Sequence, residues 1–373
     1  MPKTVTAHRL LRVAEMIREN SADALLVSHA GNRRYLTGFR DDDDQVDESA
    51  GWVIVEADGT GTLFCSAMDA EEAARDVGSA TIIAVPAPLA DGIVEAITAH
   101  MREHKYAKVG FEPHLAWHRH AELSEALPRV TFEPLWGLVE WTRMVKDAGE
   151  IAAVRRAAAL TDSAYAAAIA AMRPGVTEAA IAWVIDRYFR EHGGDPTPAF
   201  PTIVAAGINA ALPHHIPDDT PLQMGEPIIL DLGARVDGYC ADITRTVALG
   251  HADDYLRRIH RAIIVGMEAG IAMLRPGVIA QDAANAAITI VERDYGFTPA
   301  HTLGHGVGLI VHEWPWVSPQ EDGVTLAPGM LATAEPGYYD TAWGGVRVEE
   351  TVLITAVGPE ILSKASRALI VPT

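Results

Sequence analysis

The sequence predicts an α+β chain in which a small α/β domain precedes a larger domain of duplicated architecture. Three observations carry this prediction. Strand and helix periods alternate through the first third, a capping signal opens a long Ala-rich helix at Asp147, and the chain beyond it repeats itself at offsets of 102 to 107 residues.

Residues 8–20 have the apolar spacing of an amphipathic helix, and 24–28 form an apolar strand. Residues 51–66 give a strand, an Asp-Gly turn and a second strand. Helical spacing returns over 68–77, strand over 81–87 and helix over 91–104, with short strands at 108–113 and 130–135. This alternation predicts an α/β domain over 1–140, a linker over 141–149 and a second domain over 150–373. Asp147 precedes Glu150 by three residues, the spacing of a capping box.

The second domain contains a diluted repeat. Arg173-Pro174-Gly175-Val176 recurs as Arg275-Pro276-Gly277-Val278, and Gly194 and Gly296 close the two helical stretches at the same offset of 102. Asp231 corresponds to Glu335 at an offset of 104, and Asp242 to Glu349 at 107. Duplication therefore delivers two carboxylates per copy, and a pseudo-twofold interface would bring all four together.

Composition narrows the function. Lys+Arg number 30 against Asp+Glu 50, a formal net charge of −20, so neither a general nucleic-acid binder nor a ligand of anionic membranes is expected. Two distant cysteines, Cys65 and Cys240, build no disulfide framework and point to a reducing cytoplasm. Cys240 is expected to be a buried small hydrophobe. The N-terminus has no apolar signal region, and charged residues interrupt the apolar stretch over 151–172.

The chemistry concentrates in three segments. Residues 231–246 predict a hairpin turning at Asp237-Gly238, which pairs Asp231 with Thr244 and puts Asp231 and Asp242 on one face. A turn one residue earlier would set the two aspartates directly opposite. Asp231 ends an apolar run, where a carboxylate is costly unless paired or metal-bound. Four converging carboxylates, Asp231, Asp242, Glu335 and Glu349, repel one another, and two divalent cations would neutralise them. Between the pairs, residues 301–313 carry His301, His305 and His312, with glycines at 304, 306 and 308 that disfavour a helix. No HExxH or GxSxG occurs, so neither a zinc-helix peptidase nor a serine hydrolase is supported. Oxygen ligands with one imidazole suit Mn²⁺, with Co²⁺, Fe²⁺ or Zn²⁺ as alternatives.

At these residues the chain resembles the pita-bread metallopeptidases, in the Xaa-Pro branch that holds prolidase and aminopeptidase P. The resemblance rests on residues 32–39 (NRRYLTGF), ALPHH, the 231–246 hairpin, HTLGHGVGLIVHE, EPGYY and GVRVEE. It implies a pita-bread C-terminal domain behind a creatinase-type N-terminal domain, and a homodimer. It further implies that Asp231, Asp242, His305, Glu335 and Glu349 bind two metal ions, Asp242 and Glu349 as bridges. Glu335 is implicated in proton transfer, His214 in stabilising the tetrahedral intermediate, and His301 and His312 in lining the substrate side. Arg347 and Thr244 would support the ligands. The implied reaction is attack of a metal-bridging hydroxide on the peptide bond before proline, in small peptides with proline second. A creatinase-like C–N hydrolase and a non-catalytic peptide-binding relative are the alternatives; the intact ligand set speaks against both. Asp41 to Asp44 depart from the pattern, and a solvated acidic loop is the expectation there. Trp314 and Trp316 are expected as a pocket wall or as core packing.

Overall fold

The computed structural model describes residues 3–40, 49–86, 88–321 and 323–372, so the acidic run at 41–44 lies outside the described residues. Contacts divide the chain into two compact units, 1–143 and 144–373. No described helix is long and apolar enough to cross a membrane.

The first unit comprises α1 (Lys3–Glu19), β1 (Ala24–Val27), α2 (Ala30–Thr37), β2 (Gly51–Glu56), β3 (Gly61–Ser66) and α3 (Ala70–Asp76). β4 (Thr81–Val85), α4 (Leu89–Glu103), β5 (Lys108–Phe111), α5 (Trp117–Ala126), β6 (Thr131–Pro134) and α6 (Leu138–Met144) follow. Its strands form one sheet in the order β4-β3-β2-β1-β5-β6, mixed because the β1/β2 and β2/β3 pairs are antiparallel while the outer pairs are parallel. Leu26, Ile54 and Phe64 cluster with Ile97 and Met101 of α4 and Leu123 of α5. The intervening residues Leu25, Val53 and Val55 are equally buried, and α1 packs on β2, so helices cover both faces.

Three helices here, α2, α5 and α6, fall outside the predicted elements, and for two of them the physical reason is plain. In α2 the buried residues include Asn32, Arg33 and Thr37. Each is held by hydrogen bonding: Asn32 donates to Glu112 and Glu140, an Arg33 terminal nitrogen to the Gly51 carbonyl, and Thr37 to the Arg33 carbonyl. In α5 only Leu123 is buried, which is too little for periodicity to register.

The second unit opens with α7 (Ala148–Ala171), whose N-cap Asp147 accepts from the Gly149 and Glu150 amides while Glu150 returns a bond to the Asp147 amide. Helix thus occupies both ends of 141–149, leaving only 145–147 extended between α6 and α7. There follow α8 (Glu178–Glu191), β7 (Ile203–Ala206), β8 (Ile228–Leu232), β9 (Arg235–Val236), β10 (Tyr239–Cys240) and β11 (Ile243–Leu249). The second copy runs through α9 (Asp254–Met273), α10 (Ala280–Tyr295), β12 (Gly304–Gly306), β13 (Glu313–Val317), β14 (Leu331–Ala334), β15 (Gly337–Asp340), β16 (Gly344–Arg347) and β17 (Glu350–Thr355). β18 (Gly358–Ile361) and β19 (Ile370–Val371) complete the chain.

The repeat is visible in three dimensions. α7 and α8 pack on β7, β8 and β11 around one apolar core, and α9 and α10 pack on β14 and β17 around another. Gly175 and Gly277 adopt positive φ (88° and 84°) in the equivalent turns. Isolated bridges Thr177–Pro221 and Ile279–Thr325 recur at offsets of 102 (from 177 to 279) and 104 (from 221 to 325).

One buried ion pair fastens the start of this unit. Lys146 Nζ lies 2.7 Å from Glu313 Oε1, with side chains only 1% and 6% exposed. Removing one partner of such a pair costs about 3–5 kcal/mol, because the other charge stays in the interior. Lys146→Met is therefore expected to lose about that much in equilibrium urea denaturation. A loss below about 1 kcal/mol, the range of exposed pairs, would show the pair to be dispensable.

Candidate metal centre

The hairpin over 231–246 turns at Asp237-Gly238, both with positive φ (53° and 86°), as a tight primed turn requires. Its register pairs Val236 with Tyr239 and, further out, Asp231 with Thr244. Asp231 stands near the end of β8 and Asp242 just before β11. Glu335 follows β14, Glu349 precedes β17, and His305 lies on β12. Asp242, His305 and Glu349 are buried, and one potential ligand atom from each lies within 4.8 Å of the others.

The glycines around His305 are there because of crowding. A Cβ at Gly304 would fall 2.3 Å from the Thr333 carbonyl oxygen, and one at Gly306 would fall 2.2 Å from that of Trp314. His305 Nδ1 lies 3.1 Å from the Gly306 carbonyl oxygen, which can only accept, so that nitrogen carries the proton. Nε2 is left facing Glu335 Oε1 at 3.1 Å and Asp242 Oδ2 at 3.8 Å.

Arg347 organises the other side. Its guanidinium donates to Asp231 Oδ2 (2.6 Å), the Tyr339 hydroxyl (2.6 Å) and Thr244 Oγ1 (3.1 Å). Thr244 in turn donates to Glu349 Oε2 at 2.8 Å. Two oxygens of the cluster, Asp231 Oδ1 and Glu349 Oε1, are buried with no hydrogen-bond partner.

The electrostatics reflect this crowding. Burial, then repulsion from Glu349 and Asp231, pushes the Asp242 carboxyl well above the usual range. Burial, then Glu335 and Asp231, does the same to Glu349. Burial raises Asp231 as well, against the pull of Arg347. Glu335 goes the other way: burial would raise it, but hydrogen bonding and charge at His305 bring it to about 2. His305, despite burial, is raised to about 9 by the same partner.

These residues line a cavity of about 550 Å³. The other residues predicted from the sequence meet there too, except Thr244, which acts from behind through Arg347 and Glu349. His214 and His312 are exposed at its wall, and His301 is half-buried, with Nε2 3.1 Å from the Tyr339 hydroxyl. Burial, then His305, lowers the basicity of His312. Trp316 sits beside the His305 and His312 rings, whereas Trp314 packs against the α9/α10 core. Cys240 is fully buried, and burial raises its thiol to about 11, which suits an inert packing residue.

Two residues escaped the sequence reading. Tyr339 joins Arg347 to His301; its signal is the second tyrosine of the EPGYY segment. Glu178, fully buried, accepts from the Ala206 amide, Asn209 and His215 Nε2 (2.7 Å), and so anchors the segment that carries His214. In sequence Glu178 looks like an ordinary acidic residue in a helix's first turn. The repeat marks it, since Ala280 occupies the equivalent position at offset 102.

Comparison with known proteins fits this geometry. The model of metallopeptidase family M24 matches residues 152–356, and that of the creatinase/prolidase N-terminal domain matches 9–145. The chain belongs to metallopeptidase family M24. It is 31% identical to the Xaa-Pro dipeptidase of Pyrococcus horikoshii, over 97% of this chain and 98% of that protein. Among solved structures, the Xaa-Pro dipeptidase from Bacillus anthracis superposes with a TM-score of 0.90 at 29% identity, covering 99% of this chain and all of the other. The X-Pro aminopeptidase from Thermotoga maritima superposes with a TM-score of 0.85 at 28% identity, over 98% and 99%. The second unit of this M24 metallopeptidase therefore has the pita-bread fold, with a creatinase-type domain before it.

Proposed function

We propose that this M24 metallopeptidase hydrolyses the peptide bond before proline in small Xaa-Pro peptides, using two divalent cations held by Asp231, Asp242, His305, Glu335 and Glu349. The observation that carries the reading is the buried carboxylate cluster, with partnerless oxygens on Asp231 and Glu349 and with Asp242 and Glu349 raised by burial and then by repulsion from neighbouring carboxylates. A cluster of that charge in the interior fits cations, and its oxygen-rich donor set with one imidazole fits Mn²⁺, with Co²⁺, Fe²⁺ or Zn²⁺ as alternatives. When bound, the cations supply Lewis acidity toward the carbonyl and a nucleophilic water at neutral pH.

The chain's own residues do the rest. Arg347 holds Asp231 and Thr244, and Thr244 holds Glu349, so the carboxylates keep their orientation. Glu335, beside His305 on the cavity wall, takes a proton from the attacking water and delivers it to the departing prolyl nitrogen. His214 and His312 face the cavity from its exposed wall, where an imidazole N–H can stabilise charge on the carbonyl oxygen. His301, oriented by Tyr339, lines the substrate side. The proposal extends to a cytoplasmic homodimer, supported by the family resemblance and the two widely separated cysteines.

The test is a panel of Xaa-Pro, Xaa-Pro-Yaa and non-prolyl peptides with and without Mn²⁺. Expected is cleavage confined to bonds before proline, lowered at least about 100-fold by chelation and restored by Mn²⁺. Equal turnover of non-prolyl peptides, or full activity after verified metal removal, would overturn the reading. The relative rates on Xaa-Pro and Xaa-Pro-Yaa decide between dipeptidase and aminopeptidase.

A further inference from the structure

A second cluster of ligating side chains lies in the first unit, outside the site just described. His100 and His104 are one helical turn apart at the C-terminal end of α4, and Glu56 ends β2 beneath them. One ligand atom from each of the three lies within 4.8 Å of the others. Glu56 Oε1 is 3.5 Å from His100 Nε2 and 3.8 Å from His104 Nε2. Both separations exceed a hydrogen bond. They approach instead the spacing of about 3.3 Å between neighbouring donors around a tetrahedral ion with bonds of about 2.0–2.1 Å.

The orientation of the two rings points the same way. His104 Nδ1 lies 2.9 Å from the His100 carbonyl oxygen, to which it donates, so Nε2 is the nitrogen turned toward Glu56. The two imidazole rings lie 4.0 Å apart on the same face of the helix end. Two imidazoles and a carboxylate thus converge on one point. Tyr106 closes one side, its hydroxyl 3.4 Å from His100 Nε2, and Phe64 packs edge-on against the His100 ring. The side chains of Glu56 and His100 are 15% and 9% exposed, while that of His104 is 37% exposed, leaving an entry for an ion and a water.

We propose that Glu56, His100 and His104 form a binding site for a borderline divalent cation, Zn²⁺ in the first place, with water as fourth ligand. Two imidazoles and one carboxylate suit Zn²⁺ rather than Ca²⁺ or Mg²⁺, which take oxygen. The ion would tie the end of β2 to the last turn of α4, a staple inside the first unit and separate from the carboxylate cluster in the second.

The experiment uses full-length protein stripped of metal and supplied with Zn²⁺ alone, with bound zinc counted after gel filtration. Wild type is expected to retain one equivalent more than His104→Gln, whose exposed position spares the fold, and Glu56→Gln is expected to weaken that equivalent at least about tenfold. Zinc-soaked crystals should show anomalous density among the three side chains. His104→Gln should keep full Mn²⁺-supported peptidase activity, which separates this site from the other. Equal zinc stoichiometry in wild type and His104→Gln, or no anomalous density at Glu56, would overturn the proposal.

Discussion

Asp242→Ala is expected to lower kcat/KM on an Xaa-Pro substrate by about 10⁴ or more, while leaving the metal-free protein no less stable than wild type. The two halves of this expectation have one cause. The Asp242 carboxylate is 4% exposed and repelled by Glu349 and Asp231. In the metal-free protein it is held against its own electrostatics, and removing it relieves the repulsion. The alanine variant forfeits little packing, since an aspartate contributes scant apolar surface. In the proposed metal-loaded enzyme the same carboxylate is a ligand, and bound Mn²⁺ should fall with the activity. A residue kept for folding would behave oppositely, losing stability first. Full activity, or a melting temperature that drops several degrees in the metal-free state, would remove Asp242 from the proposed centre.

How far the site could be read from the sequence depends on how local each signal was. The Asp237-Gly238 turn fixes the register that places Asp231 opposite Thr244, and a two-residue side-chain period carries Asp242 to the same face. That chain of reasoning is short and needs no tertiary information. The repeat then supplies Glu335 and Glu349 by correspondence with Asp231 and Asp242. What lay beyond it were polar residues whose partners are remote in the chain. Asn32 and Glu112 lie 80 residues apart, and Glu178 and His215 lie 37 apart. Their burial is stabilised by hydrogen bonds rather than by apolar contact, so hydropathy carries no trace of it. The Glu56 cluster shows the same division. The His100–His104 spacing is visible in sequence, but only the β2 strand's place in the sheet brings Glu56 to it.

The Arg347 guanidinium is the fixed positive charge among the carboxylates, and Arg347→Met is expected to cost about 3–5 kcal/mol in the metal-free protein. Arg347 is 3% exposed and donates to Asp231, Tyr339 and Thr244 at once. Methionine fills similar volume but leaves the Asp231 carboxylate facing Glu335 without its guanidinium partner. Cations in the proposed centre would take over that neutralisation, so the penalty should shrink when Mn²⁺ is saturating. The stabilisation that Mn²⁺ confers should therefore be larger in the variant than in wild type, even as kcat falls through the loosened Thr244–Glu349 contact. Lysine should restore part of the metal-free stability and little of the activity, because an ammonium cannot hold Asp231, Tyr339 and Thr244 with one planar fork. Urea denaturation of wild type, Arg347→Met and Arg347→Lys, each with and without Mn²⁺, measures all of this. A penalty of the same size with and without metal would show that Arg347 supports the fold independently of the carboxylates it touches, and that the proposed cations do not reach Asp231.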